Sequence, residues 1–160
     1  MMNNLKTYAA KIKTWPLYAI IIFLLLPVSC TPYKVDIPEI FAAQKEGGKT
    51  VFYSPDGFKA SIKNEKNRPE KNTAFWAEAL KTQLEGEGYL IVSEKPFTSD
   101  NLEWVSFTWL LPKGQSYYKY MTALSVRGKK IFIMEAAGEK DIFDSYEKDV
   151  ENIITSIIAK

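Results

Sequence analysis

The strongest constraint on the fold is a series of strand patterns joined by very short turns between residues 104 and 136. Apolar residues recur at every second position in Val105, Phe107, Trp109 and Leu111, which is the period of a strand. Pro112-Lys113-Gly114 and Arg127-Gly128-Lys129 are tight turns, and strand patterns follow them at 117–126 and 130–136. These strands must be antiparallel, because a parallel pair needs a long crossover connection.

A hairpin and a helix are predicted upstream of these strands. Residues 50–63 alternate around Ser54-Pro55-Asp56-Gly57, which has the composition of a β-turn. Asn72 or Thr73 is a suitable helix N-cap, and Gly86 marks the end of that helix. Its predicted apolar face consists of Phe75, Trp76, Ala79, Leu80 and Leu84. Residues 89–92 predict a short strand that ends before Pro96.

A second helix is predicted from about Ile142 to Ala159, since apolar residues recur there on one stripe. The stripe contains Phe143, Tyr146, Val150, Ile153, Ile154, Ile157 and Ile158. The resulting order is β-β-α-β-β-β-β-α. We therefore predict an α+β fold, in which two main helices pack on a largely antiparallel sheet of about six strands.

This pattern resembles the PsbP/Mog1-like family over roughly residues 50–160. The resemblance is carried by the element order, the tyrosine-rich penultimate strand, the glycine turn, the segment 131–138 (IFIMEAAG) and the closing isoleucine-rich helix. That family includes photosystem accessory subunits, a nuclear-transport factor and bacterial envelope lipoproteins. The resemblance implies a domain that binds other proteins and is not an enzyme.

The N-terminus has the organisation of a secretory signal. A basic head with Lys6, Lys11 and Lys13 precedes an uncharged run from Trp15 to Val28. Those 14 residues are too few to span a bilayer, which takes about 20. The sequence Leu24-Leu25-Leu26-Pro27-Val28-Ser29-Cys30 resembles the lipobox of bacterial lipoproteins, with Pro27 where that pattern has leucine. The resemblance implies cleavage after residue 29 and acylation, including palmitate, at Cys30.

Two alternatives to lipidation remain, namely an ordinary secretory signal followed by a free cysteine, and an uncleaved N-terminal anchor. Cys30 is the only cysteine in the chain, and a single exported thiol needs an explanation, which lipidation provides. Thr31 follows it instead of the aspartate that retains such proteins in the inner membrane. By resemblance, this favours the outer membrane, with the domain facing the periplasm.

The predicted organisation is a signal peptide at 1–29, a lipidated N-terminus and tether at 30–49, and one domain at 50–160. Within the tether, Pro38 to Lys45 predicts a short helix. Removing the signal peptide lowers the net charge of +2 by three, to −1. This balance predicts no nucleic-acid partner and leaves the lipid on Cys30 as the membrane attachment.

Catalytic chemistry is poorly represented in the sequence. The chain contains no histidine, and its only thiol is the predicted lipid site, so Ser-His-Asp triads, Cys-His pairs and Cys/His zinc sites are excluded. We predict no enzyme activity, no cofactor and no metal site. Glu139, Asp141 and Asp144 cluster before the last helix, where we expect them to act on the helix N-terminus instead of binding calcium.

Other candidate residues are one acid within an apolar strand and several aromatic side chains. Glu135 interrupts the strand at 131–137; we favour a solvent-facing or lysine-paired carboxylate over a buried catalytic acid, and judge Glu103 in the same way. The aromatic residues Tyr117, Tyr118, Tyr120, Trp104 and Trp109 suit either an interface or the core, and we favour the core.

Three functions follow from these observations. The first is a lipid-anchored module that binds an envelope protein and exposes an apolar or aromatic patch. The second is a carrier or sensor of a small ligand, with a cleft between sheet and helix of about 300–1,000 Å³. The third is a glycan hydrolase, which requires two carboxylates facing each other across a cleft. We favour the first.

Overall fold

The computed structural model describes residues 33–114 and 116–159. These residues form two helices, α1 (Thr73–Gly86) and α2 (Lys140–Ser156), and nine strands. The strands are β1 (Tyr33–Lys34), β2 (Ala42–Glu46), β3 (Lys49–Tyr53), β4 (Lys59–Lys66), β5 (Leu90–Ser99), β6 (Leu102–Lys113), β7 (Ser116–Arg127), β8 (Lys130–Glu139) and β9 (Ile158–Ala159).

Seven strands form one antiparallel sheet in the order β2-β3-β4-β8-β7-β6-β5, and β1 pairs separately with β9. This confirms the predicted α+β class and antiparallel sheet, with one strand more than expected. Each helix covers one face of the sheet, as its buried neighbours show. The cluster between α1 and the sheet includes Phe107, Trp109 and Leu124, whereas the larger cluster between α2 and the sheet includes Trp104, Phe132 and Ile153.

Because the helices cover both faces of the sheet, strand β6 carries large buried side chains on both of its sides, which the alternation of apolar and polar residues does not predict. Phe107 and Trp109 point towards α1, while Trp104 points to the opposite side and is also fully buried. A strand that is buried on both faces carries large apolar residues on both sides, in contrast to a half-solvated strand. The tryptophans at 104 and 109 therefore belong to two separate clusters.

The N-terminal segment corrects the predicted domain boundary. Residues 42–46 form strand β2, so the prediction of a short helix at 38–45 was wrong. Gly47 and Gly48 have φ values of 52° and 87° and form the turn between β2 and β3, a left-handed conformation that glycine adopts without strain. Phe41 packs on the rings of Phe52 and Phe58, with centroids 5.6 and 5.7 Å away.

Tyr33 shows why this segment is part of the domain and not a free tether. Its side chain is buried, and its hydroxyl donates a hydrogen bond to the Ile62 carbonyl over 2.9 Å. The same hydroxyl accepts the Thr50 N–H at 3.2 Å and lies 2.9 Å from Thr50 Oγ1. The folded unit thus includes residues from 33 onwards, well before the expected start at 50.

Strand β5 is longer than predicted and continues through Pro96. It pairs with β6 from Leu90↔Leu110 to Ser99↔Leu102, and Pro96 lies opposite Val105. Proline lacks an N–H to donate, and a strand at the edge of a sheet tolerates it because one side of its backbone has no ladder partner. The sequence analysis ended this strand before Pro96 because proline is excluded from central strands. That exclusion does not apply here, since β5 is an edge strand.

Both helices lie where they were expected, but the buried face of α1 differs in part from the prediction. Asn72 caps α1, since its Oδ1 accepts the Phe75 N–H at 3.0 Å. Leu84 is buried as predicted, but Phe75 and Ala79 are exposed, and Thr73 and Ala77 are buried instead. The indole Nε1 of Trp76 donates to buried Asn67 Oδ1 at 2.7 Å, which fixes the rotation of α1 about its axis.

Helix α2 ends three residues earlier than predicted. Ile157 is extended at the C-cap, and Ile158 leaves the apolar stripe to join β9, where it pairs with Lys34 of β1. Ile158 is therefore exposed, while Phe143, Val150, Ile153 and Ile154 are buried as the stripe predicts.

Candidate functional site

Among the acids at the start of α2, Asp144 forms ion pairs with two lysines. Lys119 Nζ lies 2.9 Å from both Asp144 Oδ1 and Glu147 Oε2, and Lys140 Nζ lies 2.6 Å from Asp144 Oδ2. Among the described residues no group of three or more acids, histidines or cysteines is arranged to hold a metal ion. Glu139 is at the N-cap of α2 and Asp141 is in its first turn, although Glu139 makes no side-chain capping bond.

These ion pairs change the pKa values of the groups involved. Hydrogen bonds from Lys140 and then Lys119 lower the pKa of Asp144 below its ordinary value. Burial by itself lowers the pKa of Lys119, but the hydrogen bonds to Asp144 and Glu147 outweigh it, so the net shift is upward. The carboxylate and the ammonium are both held in their charged forms, as expected of a structural cluster.

Glu135 pairs with a lysine, as the sequence analysis favoured. Its Oε2 is 3.6 Å from Lys63 Nζ, and its Oε1 accepts a hydrogen bond from the Tyr120 hydroxyl at 3.2 Å. Burial, followed by the charge of Glu135, raises the pKa of Tyr120 far above its ordinary value. Tyr120 therefore stays protonated as a donor. The Glu103 side chain is exposed, and it is the backbone carbonyl of Glu103 that accepts a bond from Ser125 Oγ at 2.7 Å.

The aromatic candidates do not form one cluster. Tyr117 is exposed, Tyr118 donates to Glu139 Oε1 at 3.4 Å, and Tyr120 packs against Tyr89 with ring centroids 5.7 Å apart. The two candidate tryptophans are buried on opposite faces of the sheet. The core interpretation is correct for Trp104 and Trp109, and Tyr117 is the member that solvent reaches.

A cleft of about 560 Å³ lies between α1 and the sheet, in the location that the ligand-carrier hypothesis requires. Its floor is formed by β4, β7 and β8, and its wall is formed by α1 and Tyr89. The lining residues are Lys63, Glu65, Lys66, Trp76, Ala79, Leu80, Gln83, Leu84, Glu87, Tyr89, Tyr120, Thr122, Leu124, Ile131, Ile133 and Glu135. Its volume is within the range of small-molecule sites, roughly 300–1,000 Å³.

The two ends of this cleft differ in chemistry. Along β8, Ile131 and Ile133 precede Glu135, and Trp76 and Leu80 of α1 line the same cleft. We call Trp76, Leu80, Ile131 and Ile133 the apolar end. The opposite end, which we call the acidic end, consists of Glu87, Tyr89, Tyr120 and Glu135.

A second exposed feature lies at the outer edge of the sheet. Leu90, Ile91 and Val92 are 55%, 40% and 55% exposed, and they start edge strand β5. Leu110 lies opposite Leu90, and Pro112 lies opposite Tyr117, which is 50% exposed. Since residues two apart on β6 share a face, Leu90, Leu110, Pro112 and Tyr117 form one apolar surface. We call these residues together with Ile91 and Val92 the edge patch.

Sequence reasoning missed both the edge patch and the acidic end of the cleft. The sequence predicts a short apolar strand at 89–92, and nothing local shows that this strand lies at the edge of the sheet. Glu87 and Tyr89 are far from Tyr120 and Glu135 in the chain, and the two pairs meet only because β7 and β8 pass beneath the end of α1. The clearest available signal was Pro96, which is typical of an edge strand.

No protein-family model matches this sequence, and no curated protein matches it. Similar solved structures exist. CyanoP, the cyanobacterial PsbP of Synechocystis, is 10% identical with a TM-score of 0.59, and the match covers 82% of this chain and 89% of CyanoP. The fold is PsbP-like.

Two further structures share this fold at low identity. LpqN, which is involved in cell envelope biogenesis of Mycobacterium tuberculosis, is 10% identical with a TM-score of 0.62, over 79% of this chain and 82% of LpqN. A protein of Bacteroides thetaiotaomicron is 17% identical with a TM-score of 0.55, over 81% of this chain. The match spans 45% of that longer Bacteroides chain.

Within residues 33–114 and 116–159, neither helix has the length and hydropathy needed to cross a bilayer.

Proposed function

We propose that this chain is a lipid-anchored, non-catalytic accessory protein of the bacterial envelope that binds a partner protein. In this proposal residues 1–29 are removed, Cys30 carries the lipid, and the domain faces the periplasm from the outer membrane. The leader pattern supports the anchor, and Cys30 lies outside the described residues. The structural likeness to LpqN supports an envelope role, and the edge patch is the observation that carries partner binding.

The edge patch suits an extended segment of a partner that adds as a strand to β5. The outer side of β5 has backbone groups without a ladder partner in the sheet, and its first three residues are apolar and exposed. Pro96 and the charged residues Glu94 and Lys95 end this apolar stretch, which limits the added strand to the Leu90 end. The opposite edge, β2, reads Ala-Ala-Gln-Lys-Glu and offers no comparable apolar surface.

Site-specific photocrosslinking in cells tests this proposal. A photoreactive phenylalanine analogue at Val92 is expected to give one defined crosslinked product, and the product should decrease when Leu110→Lys is added. The matched control carries the analogue at Gln44, which is exposed on edge strand β2. Equal products from both positions, or none from Val92, would contradict binding at the edge patch. Mass spectrometry of the purified chain tests the lipid anchor separately. An unmodified Cys30 thiol would refute the anchor and leave partner binding at the edge patch unaffected.

The cleft favours a second candidate function, the binding of a small ligand. Its position between α1 and the sheet, its volume and its mixed lining meet the criteria for such a site. The cleft and the edge patch are separate surfaces, so an envelope protein of this fold can carry both activities.

A further inference from the structure

We propose that the cleft binds an amphipathic organic cation, with an ammonium head group at the acidic end and an alkyl chain at the apolar end. This inference rests on the second function proposed above and adds the chemical class of the ligand. It follows from how charge and apolar surface are distributed along the cleft.

The acidic end combines two kinds of group that attract cations. Glu135 and Glu87 supply carboxylates, and the rings of Tyr89 and Tyr120 lie beside them with centroids 5.7 Å apart. Aromatic faces attract ammonium groups electrostatically. The C-terminus of α1 lies at this end as well, where Tyr89 N–H bonds the Leu84 carbonyl, and the partial negative charge of a helix C-terminus favours a cation.

Lys63 shows that this carboxylate accepts an ammonium group. Its Nζ lies 3.6 Å from Glu135 Oε2, which is longer than a hydrogen-bonded pair, and both side chains are about one-third exposed. The Tyr120 hydroxyl occupies the other oxygen, Oε1, and orients the carboxylate. A ligand ammonium would therefore replace a loosely held lysine instead of having to disrupt a tight internal pair.

The remaining lining explains the apolar half of the ligand. Ile131 and Ile133 form the floor at the apolar end, and Leu80 and Trp76 form the wall. The Trp76 indole N–H is already bonded to Asn67, so its ring contributes apolar surface. The charges near this end are Glu65 and Lys66, which are adjacent and of opposite sign, so they favour neither an acid nor a base.

Methyl NMR of the full chain in lipid nanodiscs tests the proposal with three ligands of equal chain length. The chain carries labelled isoleucine δ-methyl groups and is titrated at neutral pH with hexylamine, hexanol and hexanoate. Ile131 and Ile133 report on the cleft. Ile153 of α2 and Ile157 at its C-cap are buried in the core cluster between α2 and the sheet and show whether the fold is intact, and exposed Ile158 reports non-specific contact.

We expect hexylammonium to shift Ile131 and Ile133 saturably, with an affinity at least about fivefold above that of hexanol, and hexanoate to bind more weakly than either. Glu135→Gln should reduce hexylammonium binding to the level of hexanol. Lys63→Met should strengthen it, because it removes the competing ammonium. These two variants change the same ion pair but are expected to have opposite effects on binding, which a general loss of folding cannot produce.

The possible failures are distinct. Binding of all three ligands with equal affinity, or no effect of Glu135→Gln, would overturn the cation preference and leave a ligand cleft in place. No shift of Ile131 or Ile133 with any of the ligands would overturn both the cation preference and the ligand-binding function. Neither result would affect the proposed partner binding at the edge patch.

Discussion

Replacement of Tyr33 by phenylalanine tests whether the segment before residue 50 is a structural part of the domain. The substitution keeps the buried ring and removes only the hydroxyl, which bonds the Ile62 carbonyl and the Thr50 N–H. A buried polar group that loses its partner costs about 1–3 kcal/mol. We therefore expect the free energy of unfolding to fall by about 2 kcal/mol, which for a domain of this size lowers Tm by roughly 5–10 °C.

Urea unfolding followed by tryptophan fluorescence measures this change, since Trp104 and Trp109 are both buried. The midpoint should fall while the dependence on urea concentration stays the same, because the surface exposed on unfolding does not change. Tyr53→Phe is the matched control. Its hydroxyl makes a single long bond of 3.4 Å to Glu46, so the loss should stay within about 0.5 kcal/mol. If Tyr33→Phe loses no more than this control, residues 33–49 are a dispensable tether and our argument is wrong.

Two further predictions concern polar clusters. Asn67→Ala should lower the free energy of unfolding by about 2–3 kcal/mol, because the buried amide bonds Lys71, Gly128 and Trp76. Urea unfolding measures this change. The control is Asn152→Ala, at an exposed site, and an equal loss of stability in that variant would refute the prediction. The second concerns acid. Hydrogen bonds from Lys140 and Lys119 hold the pKa of Asp144 below 3.8, so its contribution to stability is complete above that pH and is lost as the pH falls through the lower folded-state pKa. Between about pH 5 and pH 2 the wild-type urea midpoint should therefore fall more steeply than that of Asp144→Asn, and parallel slopes would contradict the assignment.

The likeness to CyanoP and LpqN rests on the arrangement of sheet and helices and not on shared residues, since identity to each is 10%. Function must therefore be argued from the surfaces of this chain. The edge patch lies at the β5 edge of the sheet, and the cleft lies between α1 and the sheet. This is where a fold of two helices on a seven-stranded sheet has backbone edges and apolar side chains available for binding.

Local sequence determined the elements in which neighbouring residues decide the outcome. The hairpin at 50–63, the strands around 104–136 and the N-cap at Asn72 follow from turn residues, alternation and capping, which act over a few positions. The PsbP-like order of elements could be predicted for the same reason. The charge pairing of Glu135 could be anticipated too, because a carboxylate in a strand is rarely left without a partner.

Tertiary structure alone decided which residues meet over long distances. Phe41 and Tyr33 enter the core because the strands and α2 leave room for their rings, while Pro96 is accommodated because β5 happens to lie at the edge. Phe75 turns outward because Trp76 bonds Asn67 and fixes the helix rotation. The cleft could not be predicted from any single segment of the sequence. Its acidic and apolar ends are assembled from β4, α1, β7 and β8, and the packing of these four elements depends on all of them together.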